Sequence, residues 1–395
     1  MSGETAPWTG RPVAVVHDWF QGYHGSERVV ETIADDVLAE AERVDVFAFH
    51  AARELLPPRL AARIVGESRL AALPGLRQVG HDPGRWRYLL PYMPHWFRSL
   101  DLSGYDLVVV SSHACAINAS PPVGVPCVCY SHTPMRYAWL VDTERGRLSG
   151  PRGAALRLLS GWLRRRDREA ARRPDRLLAN STAVRERIRR FYGREAEVVH
   201  PPVEVDALAR AARPEAERRR FLWVGRLVPY KRPLEVAEAF RGLPHELTMV
   251  GIGPLEEELR KRLPPNVELR GWIEREELVR LYGEAIGFLH VGEEDFGISM
   301  VEALAAGAPV IGLDAGGARD IVRDAGDGVL VAEPSVEAVR AAVERVAAAS
   351  WDRERLSTRA ADFSRPRFAA RMRAALAEAM GGRAAAGAPA GGGAR

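Results

Sequence analysis

The chain has 395 residues, 47% of them hydrophobic and 27% charged, with a mean hydropathy of −0.18. At roughly 150 residues per domain, such a composition excludes a disordered chain, a fibre or one small module, and favours two cores. The formal charge of +4 suits phosphorylated ligands or an anionic membrane surface, but it is too weak and dispersed to imply nucleic acid.

No stretch reaches about 18 uninterrupted apolar residues, so no spanning helix is expected. The opening MSGETAPWTGRP lacks the basic lead and apolar centre of a signal peptide, which makes the cytoplasm the expected compartment. The first ten residues are expected to be loose. Residues 11–17 (RPVAVVH) are a short apolar run, followed by the glycine-containing QGYHGSE and a helical pattern from Arg28 to Leu38. That order reads as strand, loop, helix. Similar runs recur at 44–49 (VDVFAF), 105–112 (YDLVVVSS), 126–131 (PCVCYS) and 175–181 (DRLLANS), the pattern that buried parallel strands present. Cys127 and Cys129 are too close along one strand to form a structural staple, and with Cys115 they read as reduced core thiols.

Two prolines in HPPVEVD (200–206) interrupt regular structure and mark a linker. A second series then begins: FLWVGR (221–226), ELTMVGIG (246–253), VELRG (267–271), IGFLHV (286–291), APVIGL (308–313) and GVLVA (328–332). Each run precedes a helix-like stretch, which predicts an α/β fold of two doubly wound, Rossmann-like domains over 11–203 and 204–364. A helix over 365–380 follows, expected to pack back on the first domain. The Gly/Ala-rich tail 381–395 has too little to bury and is expected to be disordered.

Four segments could carry chemistry. In EEDFGISMVEALAAGAPVI (293–311), an acidic loop and a Phe-Gly turn lead into a helix, with Glu294 in the loop and Glu302 eight residues on. A helix N-terminus attracts phosphate oxygens, and carboxylates accept hydrogen bonds from sugar hydroxyls, so a diphosphate-linked sugar satisfies both. Helix capping is the plain alternative. In GRLVPYKRP (225–233), Arg226 and Lys231 follow a strand, where they could neutralise a diphosphate; a solvated charged loop is the alternative. HDWFQGYHGSER (17–28) holds Gly22 and Gly25 in a loop that could approach a phosphate closely, but it is not GxGxxG and no acidic ribose reader follows. CYSHTPMRYAW (129–139) delivers His132 to a strand end beside Arg136, Tyr137 and Trp139, as either a ligand-binding or a structural histidine. DxD, HExxH, paired CxxC and GxxxxGK[ST] are absent, so no metal is expected at the site and P-loop chemistry loses support.

Together with LLANSTAVRERI and VVHPPVEVD, these segments resemble, in the same order from about residue 11 to 380, the family 4 retaining glycosyltransferases of GT-B fold. The nearest branch it resembles comprises bacterial mannosyltransferases of O-antigen and exopolysaccharide assembly. The resemblance implies two domains facing each other across a cleft, the donor in the second, the acceptor in the first, and closure over the donor. It implies that Arg226 and Lys231 hold the donor phosphates, Glu294 the sugar hydroxyls, and Glu302 the ribose. Gly25 would offer its amide to the diphosphate and His132 would face the transferred sugar. The base would pack against 271–273, including Trp272, and Phe296, Gly297 and Ile298 would complete the donor contacts. Catalytic roles fall to His132, Arg226, Lys231 and Glu294; Asp18, Arg136 and Tyr137 are placed on the acceptor side. The family's glycine loop usually reads GGAER, and His24 here takes the first glycine's place.

The expected function is therefore retaining, metal-independent transfer of a hexose, mannose favoured, from a GDP- or UDP-linked donor to a hydroxyl of a glycan or lipid-linked acceptor, with no cofactor. The alternatives are a UDP-sugar enzyme acting on a soluble natural product and a non-catalytic nucleotide-sugar-binding protein. GRWRYLLPYMPHWFRSL (84–100) mixes Arg with aromatic residues and could lie on the inner face of the cell membrane, with core or cleft lining as the alternative.

Overall fold

The computed structural model describes residues 5–76, 85–139, 151–323 and 325–387. The described residues form two compact units. One comprises the residues up to Asn180, Val184–Val199 and those from Phe368 onward; the other comprises Ser181–Ala183 and His200–Arg367.

The first unit is built on a parallel sheet of seven strands: β1 (Pro12–His17), β2 (Arg43–Ala48), β3 (Ile64–Glu67), β4 (Leu107–Ser112), β5 (Cys127–Ser131), β6 (Arg176–Ala179) and β7 (Glu197–Val198), ordered β3-β2-β1-β4-β5-β6-β7. The second has six parallel strands: β8 (Arg220–Val224), β9 (Leu247–Val250), β10 (Val267–Arg270), β11 (Ala285–His290), β12 (Val310–Leu313) and β13 (Gly328–Val331), ordered β10-β9-β8-β11-β12-β13. All thirteen strands among the described residues pair in parallel, so helices must cover both faces of each sheet. Alternation along each strand divides the core accordingly. Val13 and Val15 join Val109 on one face of the first sheet, whereas Ala14 and Val16 join Val108 and Val110 on the other.

The edge strands β3 and β7 have no counterpart among the sequence-predicted runs, being only four and two residues long. The helix expected over Arg28–Leu38 begins at Gly25, runs to Thr32 and passes into a π-helical turn over Ile33–Val37. Trp8 corrects the expectation of a loose start: it is 1% exposed and belongs to the core of the first unit. The C-terminal helix spans Arg365–Gly387, longer than the 365–380 expected. Its Phe368, Met372, Ala375, Leu376 and Ala379 are buried in the core that contains Val13 and Val15. Of the tail expected to be disordered, 381–387 are thus helical and 388–395 lie outside the described residues. Cys115, Cys127 and Cys129 are buried and form no disulfide among the described residues.

Asp167, on the helix Pro151–Ala170, is fully buried, and its Oδ2 accepts hydrogen bonds from Trp139 Nε1 at 2.6 Å and Tyr192 OH at 2.7 Å. Burial outweighs these bonds and pushes its carboxyl up to about 7. Between the ordinary aspartate range near 4 and this value, the unfolded chain releases a proton that the folded chain keeps. Stability therefore drains as pH rises across that window and levels off above it. The variant Asp167→Asn lacks this loss, so its stability relative to the parent should improve by on the order of 3 kcal/mol between pH 4 and pH 8. Paired thermal melts at the two pH values check this; a gap that is flat or moves the other way would show that Asp167 is ionised in the fold.

Candidate functional site

Each sheet reverses its strand order in the middle, between β1 and β4 in the first unit and between β8 and β11 in the second. In open α/β sheets the loops leaving the carboxyl ends of two such strands diverge, and ligands are taken at that switch point.

In the second unit, β8 delivers Gly225 and Arg226 and continues into the 3₁₀ turn Pro229–Lys231. Arg226 is exposed and has no partner among the described residues. Arg232 follows in a left-handed conformation (φ 57°), a strained backbone for a non-glycine residue. From the neighbouring strand β11 the chain passes through Gly292 and Glu294 to Gly297 (φ 100°), which turns it into the helix Ile298–Ala305. The two loops meet: Lys231 Nζ lies 2.6 Å from Glu294 Oε1, with only 14% and 18% of the two side chains exposed. Partial burial makes this pair stronger than a surface ion pair. It is close because Gly292 has no side chain: a Cβ there would stand 2.6 Å from Tyr230 O and 2.8 Å from Lys231 Cα.

Glu302, one turn into the helix, is 6% exposed and held through both oxygens, by Arg275 Nη1 at 2.8 Å and by the hydroxyl of Tyr282 at 3.0 Å. Arg275 and Tyr282 lie on the helix Arg275–Gly283, which follows Trp272; that indole is 69% exposed. Gly251 N donates to Gly271 O at 3.0 Å, tying the loops after β9 and β10 together. Phe296 corrects one expectation: its ring is 4% exposed and stacks on His200, so it supports the loop from the core.

In the first unit, Asp18 corrects another. Instead of facing a ligand it is fully buried, and its carboxylate accepts the backbone N–H groups of His113, Ala114, Cys115 and Ala116. It shapes the loop after β4. His132 follows β5, with Nε2 2.9 Å from Ser111 Oγ, and Ser111 lies 3.1 Å from His17 Nδ1. Burial, then the neighbouring His113 and His17, hold the His132 pKa well below its ordinary value, and burial takes His17 down to about 3. Both rings are therefore neutral at physiological pH, and His132 can donate or accept a hydrogen bond but cannot serve as a resident cation. Gly25 opens the helix Gly25–Thr32, where Glu27 accepts from His24 N at 3.1 Å; burial pushes Glu27 up to about 7. Arg136 and Tyr137 lie on the short helix Arg136–Trp139, half-buried, with Tyr137 against the core. In the aromatic segment 84–100, Gly84 lies outside the described residues; Trp86, Met93 and Phe97 are buried, while Tyr88 is 61% exposed.

Two family patterns match consecutive parts of the chain: "Glycosyltransferase Family 4" over residues 23–207 and "Glycosyl transferases group 1" over 205–363. The chain belongs to the family 4 glycosyltransferases. Among its curated relatives are proteins described as GDP-mannose-dependent alpha-mannosyltransferases. The one from Mycolicibacterium smegmatis is 31% identical over 58% of this chain and 62% of its own length, and the one from Mycobacterium tuberculosis is 34% identical over 43% and 46%. The chain thus spans less than two thirds of the length of these relatives. The lipopolysaccharide outer core galactosyltransferase WaaB is similar in structure (TM-score 0.64, 18% identity, 94% of this chain and 99% of that one). So is Anabaena HepE, solved with UDP and glucose (TM-score 0.63, 16% identity, 92% and 98%). These neighbours establish the GT-B fold expected for a family 4 glycosyltransferase.

Of the expected site residues in the second unit, Lys231 and Glu294 are brought into contact, Arg226 and Trp272 are exposed in the loops after β8 and β10, and Glu302 is withdrawn into a buried ion pair. The sequence reading missed Arg275, Tyr282, Ser111 and His290. His290 had a visible signal, a histidine ending an apolar strand four residues before Glu294. No described helix is long and apolar enough to cross a membrane.

Gly292→Ala should drive the Lys231 turn away by roughly 1 Å, because backbone atoms at such distances cannot yield as side chains do. The expected result is a nucleotide affinity weakened about tenfold with the melting temperature lowered only modestly. Unchanged affinity, measured by calorimetry, would show that the Lys231 turn does not depend on this contact.

Proposed function

We propose that this family 4 member is a retaining hexosyltransferase, with mannose as the favoured sugar. It moves the hexose from a nucleotide-diphosphate donor to a hydroxyl of a glycan or lipid-linked acceptor, without a metal ion. The observation that carries this reading is the Lys231–Glu294 pair at the carboxyl-end switch point of the second sheet, 2.6 Å apart and partly buried. A cation for phosphate and an acceptor for sugar hydroxyls sit side by side there. The description of the mycobacterial relatives as GDP-mannose-dependent mannosyltransferases supports GDP-mannose as donor.

In this reading the second unit, broadly residues 204–364, takes the donor and the first, residues 11–203, takes the acceptor. Arg226 and Lys231 neutralise the diphosphate, and Trp272 with the 271–273 segment packs on the base. Gly297 and Ile298 offer the start of their helix, and Glu302 holds the ribose within its Arg275 and Tyr282 frame. From the first unit, Gly25 gives its amide to the diphosphate, neutral His132 hydrogen-bonds the sugar, and Arg136 and Tyr137 meet the acceptor. The bond from the anomeric carbon to the phosphate oxygen breaks, and its electron pair stays on the phosphate. The acceptor oxygen attaches on the same face, and its proton passes to the departing phosphate. Charge grows on the phosphate as the bond breaks, so fixed cations lower the barrier. A few kcal/mol from that source gives a rate factor of roughly 100 to 1000. We place the reaction in the cytoplasm, at the inner face of the cell membrane where lipid-linked acceptors reside.

Thermal melts with GDP, UDP, ADP and dTDP, each without added metal, test the donor. At about 100 times its dissociation constant a bound nucleotide adds roughly 2.7 kcal/mol. Stabilisation by GDP is expected; stabilisation by UDP alone would reassign the sugar, and none by any would remove the donor site. With the parent active on GDP-mannose, Lys231→Ala and Glu294→Ala should each cut kcat/KM by about 100-fold or more. Full activity in both would refute the assignment.

A further inference from the structure

His290 ends β11 and is 2% exposed, and among the described residues neither of its ring nitrogens has a hydrogen-bond partner. A buried polar group left unpaired is costly and calls for a reason. On β12 its register partner is Gly312, which brings no side chain, and its ring stacks on Phe288 with centroids 6.5 Å apart. The charged groups that face it are Lys231 and Glu294. His290 Nε2 stands 3.7 Å from Glu294 Oε1, just beyond hydrogen-bond reach, while the same oxygen is held by Lys231 at 2.6 Å. Burial first, then the charge of Lys231, takes the imidazole down to about 4, so it is neutral and keeps one N–H.

Without a ligand, Lys231 and Glu294 neutralise each other. A diphosphate that recruits Lys231 must leave Glu294 as a carboxylate in a largely buried place, without its cation. We propose that His290 is a positioning residue that exchanges with Lys231: as the lysine turns to the diphosphate, His290 Nε2–H donates to the Glu294 carboxylate and keeps it aimed at the sugar hydroxyls. The donor half of this statement rests on the proposed function; the exchange itself is a property of three side chains of the second unit. The movement needed is about 0.5 to 1 Å, and the imidazole carries no other hydrogen bond among the described residues that it would have to break.

The exchange can be tested without any donor. In the parent protein with ¹⁵N-labelled histidine, the His290 signals, identified by their loss in His290→Phe, should show no protonation above about pH 5. In Lys231→Met, which imitates the lysine's departure, the ring should lock as the Nε2–H tautomer, with its proton hydrogen-bonded, and its pKa should rise toward the ordinary histidine value. Unchanged signals would overturn the proposal, and so would a raised pKa without the locked tautomer, since lost repulsion alone gives that. A second arm uses whichever nucleotide sugar the parent turns over. His290→Phe should lower kcat about tenfold and leave GDP or UDP affinity unchanged, and His290→Gln, which keeps an N–H near the Nε2 position, should recover most of it. Equal losses in the two variants, or weakened nucleotide binding, would mean that the ring serves packing only. If the parent turns over no nucleotide sugar, the functional reading fails, while the nuclear resonance arm still decides the role of His290.

Discussion

A parallel sheet whose strand order reverses at its centre cannot close its own carboxyl edge. The crossovers leaving the two central strands pass to opposite faces, and the loops between them are left apart. Both units of this protein carry this constraint, at β1/β4 and at β8/β11, and every candidate functional side chain lies on a loop or strand end at a carboxyl edge or on the helix that follows. The apolar strand interiors, buried on both faces, hold those edges rigid. Small residues then set the fine spacing, as at Gly292, where the absence of a Cβ lets the Glu294 loop close on Lys231.

The two edges are electrostatically different. The second unit gathers ionised groups in pairs, Lys231 with Glu294 and Arg275 with Glu302, each within 3 Å. In each pair the attraction between the partners offsets part of the cost of taking them out of water. The first unit gathers neutral imidazoles beside one carboxylate. His17 and His132 are held uncharged by burial and joined through Ser111, and Asp18, the buried carboxylate among them, is saturated by four backbone amides. A charged edge suits recognition of an anionic leaving group, whereas a neutral, preorganised one suits hydrogen bonding to an uncharged sugar or hydroxyl.

The division into two α/β units was legible because buried parallel strands are written as continuous apolar runs, and eleven such runs stand out along the chain. Lys231 and Glu294 stood out in the sequence as charged residues in loops directly after apolar strands, and the structure brings the two together. The partners were not. Nothing local links His290 to Lys231, 59 positions apart, or Arg275 to Glu302, 27 apart; only the pairing of β8 with β11 and the docking of one helix on another bring them together. Asp18 and Phe296 were expected among the acceptor and donor contacts from the family resemblance, and both side chains are buried in the structure.

By itself, then, the sequence determined the fold class, the two-unit plan and the loops that carry charge, because those depend on periodicity and on residue type within a few positions. Tertiary structure alone decided which charges meet, which carboxylates are spent on backbone amides, and which histidines are neutral. Those outcomes depend on burial and on distances of a few ångströms between residues far apart in the chain, and electrostatic energies change steeply over that range.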